Sequence, residues 1–189
     1  MRINRRWNKK GRARTIPQMA NALAAAIWKL SSQALLNLEN ENFETTTQGQ
    51  RLDILAEIAI YLLHQCDRRV YELTTAENRN TFISALAIDL ARMIEDSRVD
   101  VQGVDSYQAK FIETLNARTE VYSESKFSAE DGAGFAMRCA FGNFVQQAMG
   151  ARDNKWIPDY ILGREAPAAE ISLRNVLPGL VDFNNLSEA

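Results

Sequence analysis

Four residues in one helical stretch have types and spacing suited to moving protons: Glu57, Tyr61, His64 and Arg68. Steps of four, three and four residues place them on one side of a helix. A carboxylate, a phenol, an imidazole and a guanidinium in a row are the groups of an acid–base site, and they would also suit a helical-bundle enzyme or small-ligand binder. The competing explanation is a polar seam where the helix meets solvent or a polar neighbour, and it is the default because nothing else in the chain completes a catalytic set. An enclosed Glu57 needs a partner or a raised pKa. Arg68 or a residue from another helix is the expected counterpart.

The remaining chemistry is sparse. His64 is the only histidine, and the two cysteines, Cys66 and Cys139, form no metal-ligand spacing. No metal and no cofactor are therefore expected. His64 and Cys66 are two apart and point to different sides of a helix, so they make no nucleophile–base pair. Both cysteines sit in apolar stretches and read as free thiols in a reducing, cytoplasmic setting. Gly132-Ala133-Gly134 lacks the lysine of a phosphate-binding loop and the preceding strand of a dinucleotide fold, so it reads as close packing of small residues.

Charge is the most distinctive property. Arg2, Arg5, Arg6, Lys9, Lys10, Arg12 and Arg14 crowd the first fourteen residues together with Trp7, and the first acidic residue is Glu39. The rest of the chain holds 15 basic and 24 acidic residues, so the net charge of −2 conceals a strongly polarised molecule. Residues 1–15 read as a basic, flexible arm that engages a partner or an anion. The leading expectation is a non-catalytic accessory, adaptor or assembly protein whose arm meets an acidic protein partner. Nucleic acid is the alternative, since such an arm neutralises phosphates, although an acidic body repels DNA. Self-association is a further possibility, through the small-residue stretch 132–142 and the aromatic segment Trp156–Leu162.

These groups need a scaffold, and the sequence describes an all-α one. Residues 16–189 are expected to form a single-domain bundle of about five long helices, a short sixth helix and an irregular C-terminal strap. A chain of this length buries roughly 70% of its unfolded surface, so the core needs no disulfide. Met19, Leu23, Ile27, Ala34 and Leu38 mark a helix opening near Pro17. Residues 48–73 mark a second, whose segment Ile54–Leu63 is apolar on nearly every side and reads as the central post. Thr74 and Glu77 have capping-box spacing for a third helix that ends near Ser97. A fourth spans about 106–126 behind Asp105, with Tyr107, Phe111, Leu115 and Tyr122 inside. A fifth begins after Ser128, with Glu130 and Asp131 in its first turn. A short helix opens at Pro167 and stops at Pro178-Gly179. Residues 19–30 follow a basic head, yet Asn21 and Lys29 interrupt them, so they read as an amphipathic helix and not as a signal peptide. No run of about 18 apolar residues offers a membrane span.

Overall fold

The computed structural model describes residues 13–150, 155–184 and 186. Seven of the eight arm residues, Arg2, Arg5, Arg6, Trp7, Lys9, Lys10 and Arg12, lie outside that range. The chain folds as an all-α bundle: α1 (Ile16–Asn40), α2 (Gln48–Val70), α3 (Ala76–Gln102), α4 (Tyr107–Ser123) and α5 (Phe135–Met149). After them a short α6 (Ile157–Tyr160) passes through a π-helical turn (Ile161–Glu165) into α7 (Ala166–Leu180). One hairpin, β1 (Phe127–Ser128) with β2 (Gly132–Ala133), precedes α5.

Side-chain caps set the starts of the first three helices. The Thr15 hydroxyl accepts from the Gln18 amide while the Gln18 side chain accepts from the Thr15 amide, a reciprocal box that satisfies two orphan donors. Thr47 and Thr75 cap α2 and α3 in the same sense, through the amides of Gln50 and Asn78. The cap of α3 is thus Thr75 and not Thr74. That helix also runs on to Gln102, beyond the expected stop at Ser97, and ends where Gly103 takes a positive φ of 82°. A left-handed residue cannot continue a helix, and glycine adopts it without strain.

α2 is the post around which the others stand. It contacts α1, α3, α4, α5 and α7, and every residue from Glu57 to Cys66 is buried. Ile54, Ile58, Leu62 and Cys66 join α1 and α3 residues in one continuous apolar core. α4 contributes a thinner stripe: Tyr107, Phe111, Leu115 and Tyr122 are its buried residues. Beyond α7 the chain forms the expected irregular strap, with Val181, Phe183 and Leu186 packed on the core and Phe183 edge-on to Phe82.

The start of the fifth helix differs from expectation. Residues 127–133 form the hairpin, and α5 begins only at Phe135. Gly132 has φ of 77°, so the chain turns there, and the Ser128 hydroxyl accepts from the Asp131 amide inside the loop at 2.9 Å. The helix downstream does use a small residue for close approach. A Cβ on Gly142 would stand 3.0 Å from the Pro158 Cα of α6. Pro178 lies inside α7 in its last turns, so that helix ends at Leu180, two residues beyond the expected stop.

Gly142→Val places two methyl groups against the α6 backbone. It is expected to lower stability by about 1–3 kcal/mol through overpacking, read as a reduced urea midpoint at unchanged slope.

Candidate functional site

The four stripe residues do lie along one side of α2, but each meets a different element. From Glu57 to Arg68 the helix rises about 16 Å, too far for the ends of the row to act on one atom. Glu57, 7% exposed, accepts from Arg118 of α4: Nη2 donates to Oε1 at 2.8 Å and Nε donates to Oε2 at 3.1 Å. Its counterpart is therefore a residue of another helix and not Arg68. The Arg118 guanidinium lies 3.7 Å over the Phe144 ring, and Glu57 raises its pKa. Arg68 packs its guanidinium over Phe127 of the hairpin at 5.6 Å.

Tyr61 is fully enclosed. Its ring stacks on Phe141 at 4.1 Å, and its hydroxyl donates to Oε1 of Glu170 on α7. Burial first, then the Glu170 charge, pushes the phenol far above its ordinary range, so it stays protonated and serves as a donor.

Glu170 is held by donors from three elements, and it is 4% exposed. Besides Tyr61, it takes Arg138 of α5 in a bidentate grip, with Nε on Oε1 and Nη2 on Oε2 at 3.0 Å each. The Ala133 amide of β2 donates to Oε2 at 3.3 Å. Gly132 makes room for this grip, since a Cβ there would fall 2.3 Å from Glu170 Oε2. Around the same carboxylate three arginines hold three successive carbonyls of the hairpin turn. Arg69 donates to Ala129 at 3.0 Å, Arg174 to Glu130 at 2.9 Å, and Arg138 to Asp131 at 3.2 Å.

His64 is 2% exposed and packs on Tyr122 with ring centroids 5.3 Å apart. Its Nε2 and the Tyr122 hydroxyl are both buried with no hydrogen-bond partner among the described residues. Burial pushes the imidazole down to about 4, with Asp67 opposing and Arg68 and Arg79 adding to the fall. It is a neutral ring at neutral pH. Cys66 is free and buried, its thiol pushed well up by desolvation, and Cys139 is free and half-buried. Among the described residues no group of three or more His, Cys, Asp or Glu side chains could hold a metal ion, and no helix is long and apolar enough to cross a membrane.

A third buried carboxylate is Glu165, 4% exposed. Glu165 ends the π-helical turn and accepts from Asn37 of α1 through both oxygens at 3.2 Å. Burial raises its pKa, partly offset by the Asn37 and Tyr160 hydrogen bonds.

Glu57 also lines a cleft of about 570 Å³ between α2, α3, α4 and α5. His64 and Tyr61 are not among its lining residues. The stripe thus divides: Glu57 at a cleft wall, Tyr61 in the Glu170 network, His64 in an aromatic contact and Arg68 on the hairpin. Glu170, Arg138 and Arg118, which hold the buried charges, did not stand out from the sequence. One signal was present for Glu170. Together with Ala166, Ala169, Leu173 and Leu177 it forms the buried face of α7, an acidic residue at an apolar register.

Compared with protein-family models, with curated proteins and with solved structures, the chain matches none.

Glu170→Leu leaves Arg138 and Tyr61 without their acceptor and is expected to cost about 3–5 kcal/mol, measured by chemical denaturation. Tyr61→Phe, which removes only the donor, costs about 1.5–3 kcal/mol. For His64 the folded pKa lies below the unfolded one of 6.5. The unfolded chain therefore binds the proton first, and stability falls as pH drops from 6.5 toward 4, by up to about 3 kcal/mol. His64→Phe removes that share of the acid sensitivity, seen as a smaller difference between urea midpoints at the two ends of the window.

Proposed function

We propose that the protein is a non-catalytic helical interaction subunit that engages an acidic protein partner through its basic N-terminal arm. The observation that carries this reading is the placement of Arg14. Its Nη1 donates to the carbonyl oxygens of Gly179 at 2.9 Å and Leu180 at 3.3 Å, where α7 ends. A cation on the last carbonyls of a helix is the favourable sense of the helix dipole. Arg14 also forms a parallel bridge with Leu186 of the strap. The root of the arm is thus fastened to the body, and the six cations ahead of it belong to a segment with a fixed point of departure.

The interior supports the same reading. Glu57 and Tyr61 each give their polar atoms to one structural partner, Arg118 and Glu170. Groups spent in this way hold helices together and are poorly placed to exchange protons with a substrate. Two unbridged thiols suit a reducing compartment such as the cytoplasm. The acidic excess of the body favours a protein partner over nucleic acid, because phosphates approaching the arm also meet that field.

The test compares the full chain with a variant lacking residues 1–13 and with one carrying Glu at positions 2, 5, 6, 9, 10 and 12. Both variants are expected to melt within about 2 °C of the parent, since every change precedes Thr15, the cap of α1. Nuclease-treated lysate passed over each should yield an acidic protein retained by the parent alone and released by salt. Equal retention on all three overturns the reading, and retention abolished by nuclease reassigns the arm to nucleic acid.

A further inference from the structure

We propose that the cleft between α2, α3, α4 and α5 is a binding site for a small planar ligand carrying an oxyanion, an aryl carboxylate or aryl phosphate. The inference is independent of the arm and of any partner it meets. Its basis is the way the cleft sorts charge by depth. The inward cations are Arg98, whose side chain is 13% exposed, and Arg118, at 22%. The acids Asp53 and Asp105 sit at the rim, 53% and 47% exposed. Glu57 is the one deep acid among the lining residues, and Arg118 occupies both of its oxygens through Nε and Nη2, a pair that does not use Nη1. An anion entering the cleft passes Asp53 and the exposed Lys110–Asp105 pair at the rim and meets guanidinium groups in a partly desolvated setting, where charge-assisted hydrogen bonds are strong.

The ring component follows from the aromatic neighbours of those cations. Arg118 already stacks on Phe144, and a guanidinium offers a second face of the same kind to an incoming ring. Tyr107 lies at the same wall, with Arg98 and Lys110 each 5.5 Å from its centroid. The cleft, about 570 Å³, has the capacity of a small-molecule site. Its α4 wall is formed by Lys110, Thr114 and Arg118, beside the narrow apolar stripe of that helix, and Arg118 closes its floor against α2 and α5.

Arg98 is the residue expected to receive the oxyanion. Its present partner, Asp53, is half in solvent, and such a pair contributes little net stability. A ligand oxygen can therefore take the place of the Asp53 carboxylate, while Gln102 Oε1, which accepts from Arg98 Nη1 at 2.9 Å, keeps the guanidinium in position. This gives two neighbouring side chains opposite effects. Losing Arg98 removes the receptor, and losing the charge of Asp53 removes its competitor.

The experiment is a calorimetric titration of the full chain with phenyl phosphate and with 2-naphthoate, alongside inorganic phosphate and 2-naphthalenemethanol. One saturable site is expected for at least one aryl anion, and which of the two binds more tightly identifies the oxyanion. Phosphate alone and the neutral alcohol should bind at least about tenfold more weakly. Arg98→Gln should weaken the aryl anion by about tenfold or more. Asp53→Asn should tighten it by about threefold. Arg164→Gln, remote from the cleft, and deletion of residues 1–13 should leave it unchanged. No saturable binding of either aryl anion at about 10 mM, an Arg98→Gln protein that folds and binds like the parent, or weaker binding by Asp53→Asn would each overturn the proposal.

Discussion

A buried carboxylate that loses its hydration must recover it from protein donors, and α2, α5, α7 and the hairpin are arranged around that requirement at Glu170. Desolvating an unpaired carboxylate costs several kcal/mol. Here the compensation comes from a phenol on α2, a guanidinium on α5 and a backbone amide on β2. Each donor belongs to a different element, so the charge is satisfied only when α2, α5, α7 and the hairpin are all in place. Apolar packing alone would tolerate small slips among these helices. A carboxylate with a fixed set of donors does not, because each misplaced donor leaves an unsatisfied group behind.

The same constraint explains how much of the architecture was legible beforehand. Helical periodicity is a property of neighbouring residues, and it correctly reported α1, α2 and the inward faces of α3 and α4. The all-round apolar character of Ile54–Leu63 correctly marked the post. What could not be read was pairing at long range. Glu57 and Arg118 are 61 residues apart, and Tyr61 and Glu170 are 109 apart. Local spacing instead suggested that the polar row on α2 belonged together, whereas burial on every side of that helix sent each member to a different neighbour. The hairpin was missed for a related reason. Glu130 and Asp131 resemble a helix's first turn until Gly132 is known to be left-handed, and that conformation depends on the room Glu170 needs.

The middle of the polar row and its first member, Glu57, have different surroundings. Tyr61 and His64 are sealed in an aromatic cluster with Tyr122, Phe141 and Phe144. Glu57 stands at the wall of the cleft, held there by Arg118 of α4. The bundle thus has a closed side, where α7 packs on the post, and a more open side whose walls carry paired charges among apolar residues. The proposed ligand and the proposed partner engage different residues, Arg98 and Arg118 for the ligand and the cations ahead of Arg14 for the partner.

The turn at Ala129–Asp131 has one more consequence. Three consecutive carbonyls answer to guanidinium groups from three helices, α2, α7 and α5 in that order. Such a loop works like a vernier scale. A helix displaced along its axis by one residue, about 1.5 Å, carries its arginine off its own mark and toward the neighbouring one. The relative heights of three helices are therefore indexed by one exposed turn, and a misaligned bundle is recognised at its surface as well as in its core.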